Sequence, residues 1–304
     1  MYKYAHPGAK IENRLVELLK KDYWDIIRRD KLFLYKDEDP TTIVPPFQEI
    51  IKGITLNVEK TKSFWQIPYK YKDHEGTTIA HLMNGWNPAK PSLIFHHGLS
   101  STNHLHHLRV LADKNFYDLF NIFSIQAAHH ENVIDVLENA VNTFTNLAVI
   151  SATSVRTMQE IVQFHRKESD NRVVIAGFSM GGILTSWHYF HYNTADLYFP
   201  IISYPNFGEI TLDKNHAKHI KNYKEMIKNE SYFKCFEVPE ELIHKRSKSN
   251  IWPVIGTEDE LINYEKASEF WRGYHVTEFF SGHVSVVFKR NQIKELILAK
   301  TLKA

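Results

Sequence analysis

From residue 92 onward, six short and solidly apolar runs alternate with longer stretches of helical periodicity. The runs are Ser92–Phe95, Ile122–Ile125, Val173–Ala176, Tyr198–Ser203, Trp252–Ile255 and His275–Phe280. Uninterrupted apolar runs of this length suit strands covered on both faces. The helical patterns between and after them cover Asn103–Lys114, Val133–Val149, Val155–His165, Gly182–Tyr192 and Val284–Leu302. Strand and helix in alternation predict an α/β fold with a parallel sheet and crossover helices.

The upstream third reads differently. Phe64–Tyr69 and Thr77–Leu82 are strand-like, and Asp73-His74-Glu75-Gly76 between them reads as a hairpin turn. Residues 9–29 carry Ile11, Leu15, Leu18, Leu19 and Ile26 near helical spacing, and Pro40, Pro45 and Pro46 then break the chain. Residues 1–50 are therefore expected to form a helical extension, and 51–304 the main domain. The stretch 207–250, rich in Lys and Tyr, is too long for a plain connection and is expected to form a small helical cap.

Composition removes several function classes. The formal net charge is only +2, which gives no global attraction to nucleic acid or an anionic membrane. The lysines of Lys214–Lys228 accordingly read as a solvated helix face. Cys235 is the single cysteine, so no internal disulfide can form. Met1–Pro7 lacks the apolar run of a signal peptide, and no apolar stretch approaches the roughly 20 residues that span a bilayer. A cytoplasmic protein without a membrane span is expected.

The strongest motif is Val173-Val174-Ile175-Ala176-Gly177-Phe178-Ser179-Met180-Gly181-Gly182, a G-x-S-x-G between a strand and a helix. A serine on so sharp a turn sits in strained backbone, and glycine two positions to either side lets strand and helix pass closely. The hydroxyl then stands above the sheet, where the first amides of the helix favour negative charge. Upstream, Ser92–Phe95 runs into His96-His97-Gly98-Leu99, a strand end suited to a second backbone donor for an oxyanion. The two donors are assigned to the amides of Leu99 and Met180.

A serine nucleophile needs a histidine base oriented by a carboxylate. Ile255-Gly256-Thr257-Glu258-Asp259-Glu260 follows a strand and offers three acids; Asp259 is chosen, with Glu258 and Glu260 as alternatives. Phe279-Phe280-Ser281-Gly282-His283-Val284 follows the last strand, and His283 is chosen as base. His275 is its rival, but it begins a strand rather than ending one.

In this order the landmarks resemble the α/β-hydrolase family over roughly residues 54–304. The resemblance implies a mostly parallel eight-stranded sheet flanked by helices, a Ser179/Asp259/His283 triad, an oxyanion hole at Leu99 and Met180, and a cap. It implies hydrolysis of a small-molecule ester or other acyl substrate through an acyl-enzyme, with no cofactor. Esterases, thioesterases, peptidases and non-catalytic members share the family, so fold alone does not name the substrate.

The chain has 18 histidines, and His96, His97, His104, His106, His107, His129 and His130 fall near predicted strand ends. A metal-dependent hydrolase is the rival reading. His104 and His107 form one i, i+3 pair, however, and no Cys, Asp or Glu stands in a ligand spacing, so no metal site is expected. His97 is a candidate for the substrate pocket or for positioning the oxyanion loop. Tyr204 and Phe207 are candidates for an apolar pocket.

Overall fold

The computed structural model describes residues 34–302. The helix expected over 9–29 lies outside the described residues, as does the side chain of His106.

A ten-stranded mixed sheet forms the centre. Its strands are β1 (Thr55–Leu56), β2 (Glu59–Lys60), β3 (Phe64–Tyr71), β4 (His74–Leu82), β5 (Ser92–His96), β6 (Asn121–Gln126), β7 (Val173–Phe178), β8 (Leu197–Ile201), β9 (Val254–Gly256) and β10 (Thr277–Phe279). The order is β1-β3-β4-β6-β5-β7-β8-β9-β10, with β2 paired to β3. The expected eight strands are β3 to β10. The two further strands are two-residue pairings on the antiparallel edge, too short to leave a periodic signature. From β6 to β10 every pairing is parallel, and β4 joins them antiparallel.

Burial follows this geometry. β5 and β7 are buried at every residue, whereas β3 alternates buried with more exposed positions near the antiparallel end of the sheet. Successive residues of β7 serve two cores. Val173 and Ile175 face the helices Phe144–Glu168 and Met180–His191. Val174, Ala176 and Phe178 pack with Leu108, Phe116, Ile293 and Ile297 on the other face.

Three local expectations are corrected. The hairpin turn falls at Lys72 and Asp73, because Lys72 takes the positive φ of 51° and His74 already pairs with Tyr71. The helix expected over 133–149 is a short turn running into a π segment, Val136–Ala140, and helix resumes at Phe144 behind a Thr143 cap. It then continues unbroken to Glu168, so Val155–His165 is its interior. The final helix starts as a 3₁₀ turn, Ser285–Lys289, before Arg290–Leu302.

Between β8 and β9 lie short helices, Phe207–Thr211, Tyr223–Met226, Glu230–Cys235 and Glu240–Lys245. The segment after Leu34 is laced to them. Asn229 Nδ2 donates to the carbonyls of Pro40 and Thr42 at 2.9 and 2.8 Å. Tyr232 donates its hydroxyl hydrogen to Glu38 at 3.1 Å.

Candidate active site

Ser179 joins β7 to the helix Met180–His191 with φ 55° and ψ −116°. A non-glycine residue held there stores of order 1–3 kcal/mol, which the surrounding contacts must overcome. Those contacts are tight. Ser179 N donates to the Ile201 carbonyl at 3.0 Å. A Cβ on Gly177 would come within 2.4 Å of the Gly181 backbone, and one on Gly181 within 2.2 Å of the His96 carbonyl oxygen. Gly182 is closed off as well, by Ser203 Oγ at 2.3 Å. The helix thus starts hard against β5 and β8, and its first amides have no acceptor within the helix itself.

The acid and the histidine arrive on neighbouring strand ends. Thr257 N donates to Phe279 O at 2.9 Å and Glu258 N to Ser281 O at 3.1 Å. A Cβ on Gly256 would meet Ser281 O at 2.5 Å, so the two loops lie almost in contact. Asp259 Oδ1 accepts from Leu261 N at 2.9 Å and Ile262 N at 2.8 Å, which locks its rotamer. His283 Nδ1 lies 2.8 Å from Asp259 Oδ2, and His283 Nε2 lies 2.9 Å from Ser179 Oγ. The Asp259 side chain is 2% exposed and that of His283 12%, so the pair is shielded while the histidine keeps an open edge. An ionised carboxylate only accepts, so Nδ1 donates to Asp259 and Nε2 is left to accept the Ser179 hydroxyl hydrogen.

The alternatives fall elsewhere. Glu258 and Glu260 are exposed. His275 stacks on Trp252 with centroids 4.6 Å apart, at the end of β9 and β10 away from Asp259.

The two residues assigned as oxyanion donors belong to two segments. Met180 follows it as the first helical residue. A Cβ on Gly98 would lie 3.3 Å from Ser179 Cβ, so the residue before Leu99 packs against the serine. His97 is fully buried. Ala127 N donates to its Nε2 at 3.1 Å, so the ring hydrogen is on Nδ1 and is donated to Gly98 O at 2.8 Å. The imidazole therefore straps the loop to the end of β6, and burial holds its pKa well below the ordinary histidine value.

Sequence reasoning missed a second support. His107 Nδ1 lies 2.9 Å from Ser101 Oγ and takes the Gly98 amide at 3.4 Å, while its ring stacks on Phe178 at 5.3 Å. The one available signal was a histidine nine positions beyond the loop glycine, indistinct among so many histidines.

Of the pocket candidates, Tyr204 lines a cavity of about 400 Å³ beside the Asp259 loop. Its hydroxyl donates to Glu209 at 3.2 Å, and Asp213, Glu258 and Glu260 make the cavity acidic rather than apolar. Phe207 is buried in the core and packs against Phe236 at 5.6 Å. His96 is also buried. It donates to His97 O and meets Ser154 Oγ at 3.0 Å, and burial lowers its pKa to about 3. Among the described residues, no group of three or more His, Cys, Asp and Glu side chains could hold a metal ion. Among them too, no helix is long and apolar enough to cross a membrane.

A mostly parallel sheet between two helical layers, with a serine on the strand-to-helix bend after β7, defines the α/β-hydrolase fold. The chain belongs to the uncharacterised protein family UPF0227, whose model matches residues 123–279. That match includes Ser179 and Asp259 and ends before His283. Solved structures share the fold. Acetyl xylan esterase 1 from Thermoanaerobacterium sp. JW/SL YS485 superposes with a TM-score of 0.54 at 14% identity, covering 85% of this chain and 95% of that one. An acetyl xylan esterase from Paenibacillus sp. R4 gives 0.52 at 14% identity, over 83% and 92%. Est1E from Butyrivibrio proteoclasticus with bound ferulic acid gives 0.53 at 15% identity, over 75% and 97%. No curated protein is significantly similar in sequence.

Proposed function

We propose that this protein is a serine hydrolase that cleaves carboxylic esters through an acyl-enzyme. The observation that carries the reading is the continuous relay Asp259–His283–Ser179, with links of 2.8 and 2.9 Å. Ser179 Oγ attacks the ester carbonyl as its proton passes to His283 Nε2. The imidazolium that forms is stabilised by Asp259, which stays ionised. The carbonyl oxygen becomes an oxyanion, met by the amides of Leu99 and Met180. His283 then returns the proton to the leaving alcohol oxygen, the C–O bond breaks, and Ser179 carries the acyl group. Water deprotonated by His283 attacks the acyl carbon and releases the acid, restoring Ser179.

The resemblance in fold to acetyl xylan esterases supports an ester as the substrate, and the short helices between β8 and β9 are the proposed cap. The test is turnover of p-nitrophenyl acetate and butyrate by the wild type and by Ser179→Ala. The wild type should hydrolyse both, and the variant should lose at least three orders of magnitude in kcat. Equal rates in the two proteins would remove the reading.

A further inference from the structure

Three of the large hydrophobic side chains left exposed in the described residues lie within five residues of His283 along the chain. Phe280 is 48% exposed, Val284 40% and Phe288 78%, and they bracket His283. Single exposed hydrophobics are ordinary, but a group beside a reactive side chain is not. The backbone accounts for the placement. Ser285 and Val286 are buried, Val286 in one cluster with Leu108, Phe178 and Ile293, while Val284 before them and Phe288 after them stay exposed. Phe280 sits three residues before the histidine, within roughly 11 Å of it along the chain.

We infer that this apolar rim seats the alcohol portion of the substrate, so the preferred esters are those of apolar alcohols. The inference rests on the ester-hydrolase reading and deepens it. Its physical basis is the proton's path. The leaving oxygen must lie within hydrogen-bond reach of His283 Nε2 to be protonated as it departs. The acyl carbon is held by Ser179 Oγ and its oxygen by amides on the far side. The carbons bonded to the leaving oxygen therefore start at the imidazole and run out over the residues that flank it. Those residues are Val284, Phe280 and Phe288.

The experiment compares two ester series by acid release. Ethyl, butyl and hexyl acetate vary the alcohol at nearly constant leaving-group basicity; ethyl acetate, butyrate and hexanoate vary the acyl chain. In the wild type, kcat/KM should rise about twofold per alcohol methylene, roughly fifteenfold from ethyl to hexyl, as expected for partial burial on an open rim. In Phe280→Ser/Val284→Ser/Phe288→Ser the hexyl-to-ethyl ratio should fall to near one, while the hexanoate-to-acetate ratio keeps its wild-type value. These positions are exposed, so the variant should melt close to the wild type. If the variant melts far below it, the three single substitutions are measured instead, and each should lower the alcohol ratio. An unchanged alcohol ratio, or an equal fall in both ratios, overturns the inference. So does loss of a dimer or of vesicle binding in the variant with the alcohol ratio intact, since the rim would then serve a second copy or a lipid surface. Absence of any Ser179-dependent turnover instead overturns the hydrolase reading on which the inference stands.

Discussion

Gly181 on the helix after the bend and His96 at the end of β5 approach so closely that a Cβ on the glycine would sit 2.2 Å from the His96 carbonyl oxygen. Neither partner can yield, since the glycine lies in the first turn of a buried helix and the carbonyl belongs to a central strand. Overpacking of this kind costs typically 1–3 kcal/mol and sometimes more. Gly181→Ala should therefore lower the unfolding free energy by about 3 kcal/mol in urea titration. Gly85→Ala is the comparison: φ is +74° there, but nothing lies within 4 Å, so its cost should be about 1 kcal/mol. Equal effects at the two sites would show that the bend is looser than described.

Asp259 orients an imidazole and also accepts two backbone amides, and one substitution separates the roles. Asp259→Asn keeps an oxygen for Leu261 and Ile262 but turns an N–H₂ toward His283 Nδ1. The imidazole must then protonate at Nε2, where it can no longer accept from Ser179. Ester hydrolysis should fall by roughly 10³–10⁴ in kcat, with an unfolding midpoint close to that of the wild type. A fall below tenfold would assign the orienting role to another group.

The same sites mark how far the chain could be read before its structure. The bend was legible because steric exclusion dictates residue type: glycine at 177 and 181 is required by contacts below 3 Å. Asp259 was separable from Glu258 and Glu260 only by its loop position, and the bond to the amides two and three residues on is one that a short aspartate side chain makes and a glutamate does not. The packed surroundings of His97 and Phe207 were not legible, for a common reason. Residue type and strand-end position do not tell an open pocket from a filled one, and both side chains are buried by segments distant in the sequence. The single helix from Phe144 to Glu168 was divided at Ser151–Ser154, whose hydroxyls interrupt the apolar pattern. In the fold, Thr153 bonds back to Val149 O and Ser154 meets His96, while the buried Ser151 hydroxyl has no hydrogen-bond partner among the described residues.

His97 offers a test of loop positioning. Its two ring nitrogens join Gly98 O to Ala127 N. His97→Ala should let the loop carrying the Leu99 amide drift, costing about 10–100-fold in kcat with KM little changed, somewhat less than outright loss of an oxyanion donor. A rise in KM at unchanged kcat would place the histidine's effect on substrate binding instead.

Glu38 supplies a pH signature. The side chain is buried, with Oε2 accepting from Phe144 N at 2.7 Å at the start of the long helix. Loss of solvation outweighs its hydrogen bonds and raises its pKa above the ordinary value of 4.5. The folded protein therefore binds this proton more tightly than the unfolded chain. Its contribution to stability is fully present below pH 4.5 and is lost as the pH rises through the folded pKa. The wild type should accordingly lose stability relative to Glu38→Gln as the pH is raised from 4 to 7, read from urea midpoints. A difference that is flat or rises with pH would contradict this.

The central claim is that Ser179 is a nucleophile activated by His283 across 2.9 Å. The direct measurement is reaction of the folded protein with a fluorophosphonate, with the modified residue located by peptide mass spectrometry. The adduct should fall on Ser179 alone, vanish in Ser179→Ala and slow at least a hundredfold in His283→Ala. Labelling at any other residue, or none on the folded wild type, would contradict the account.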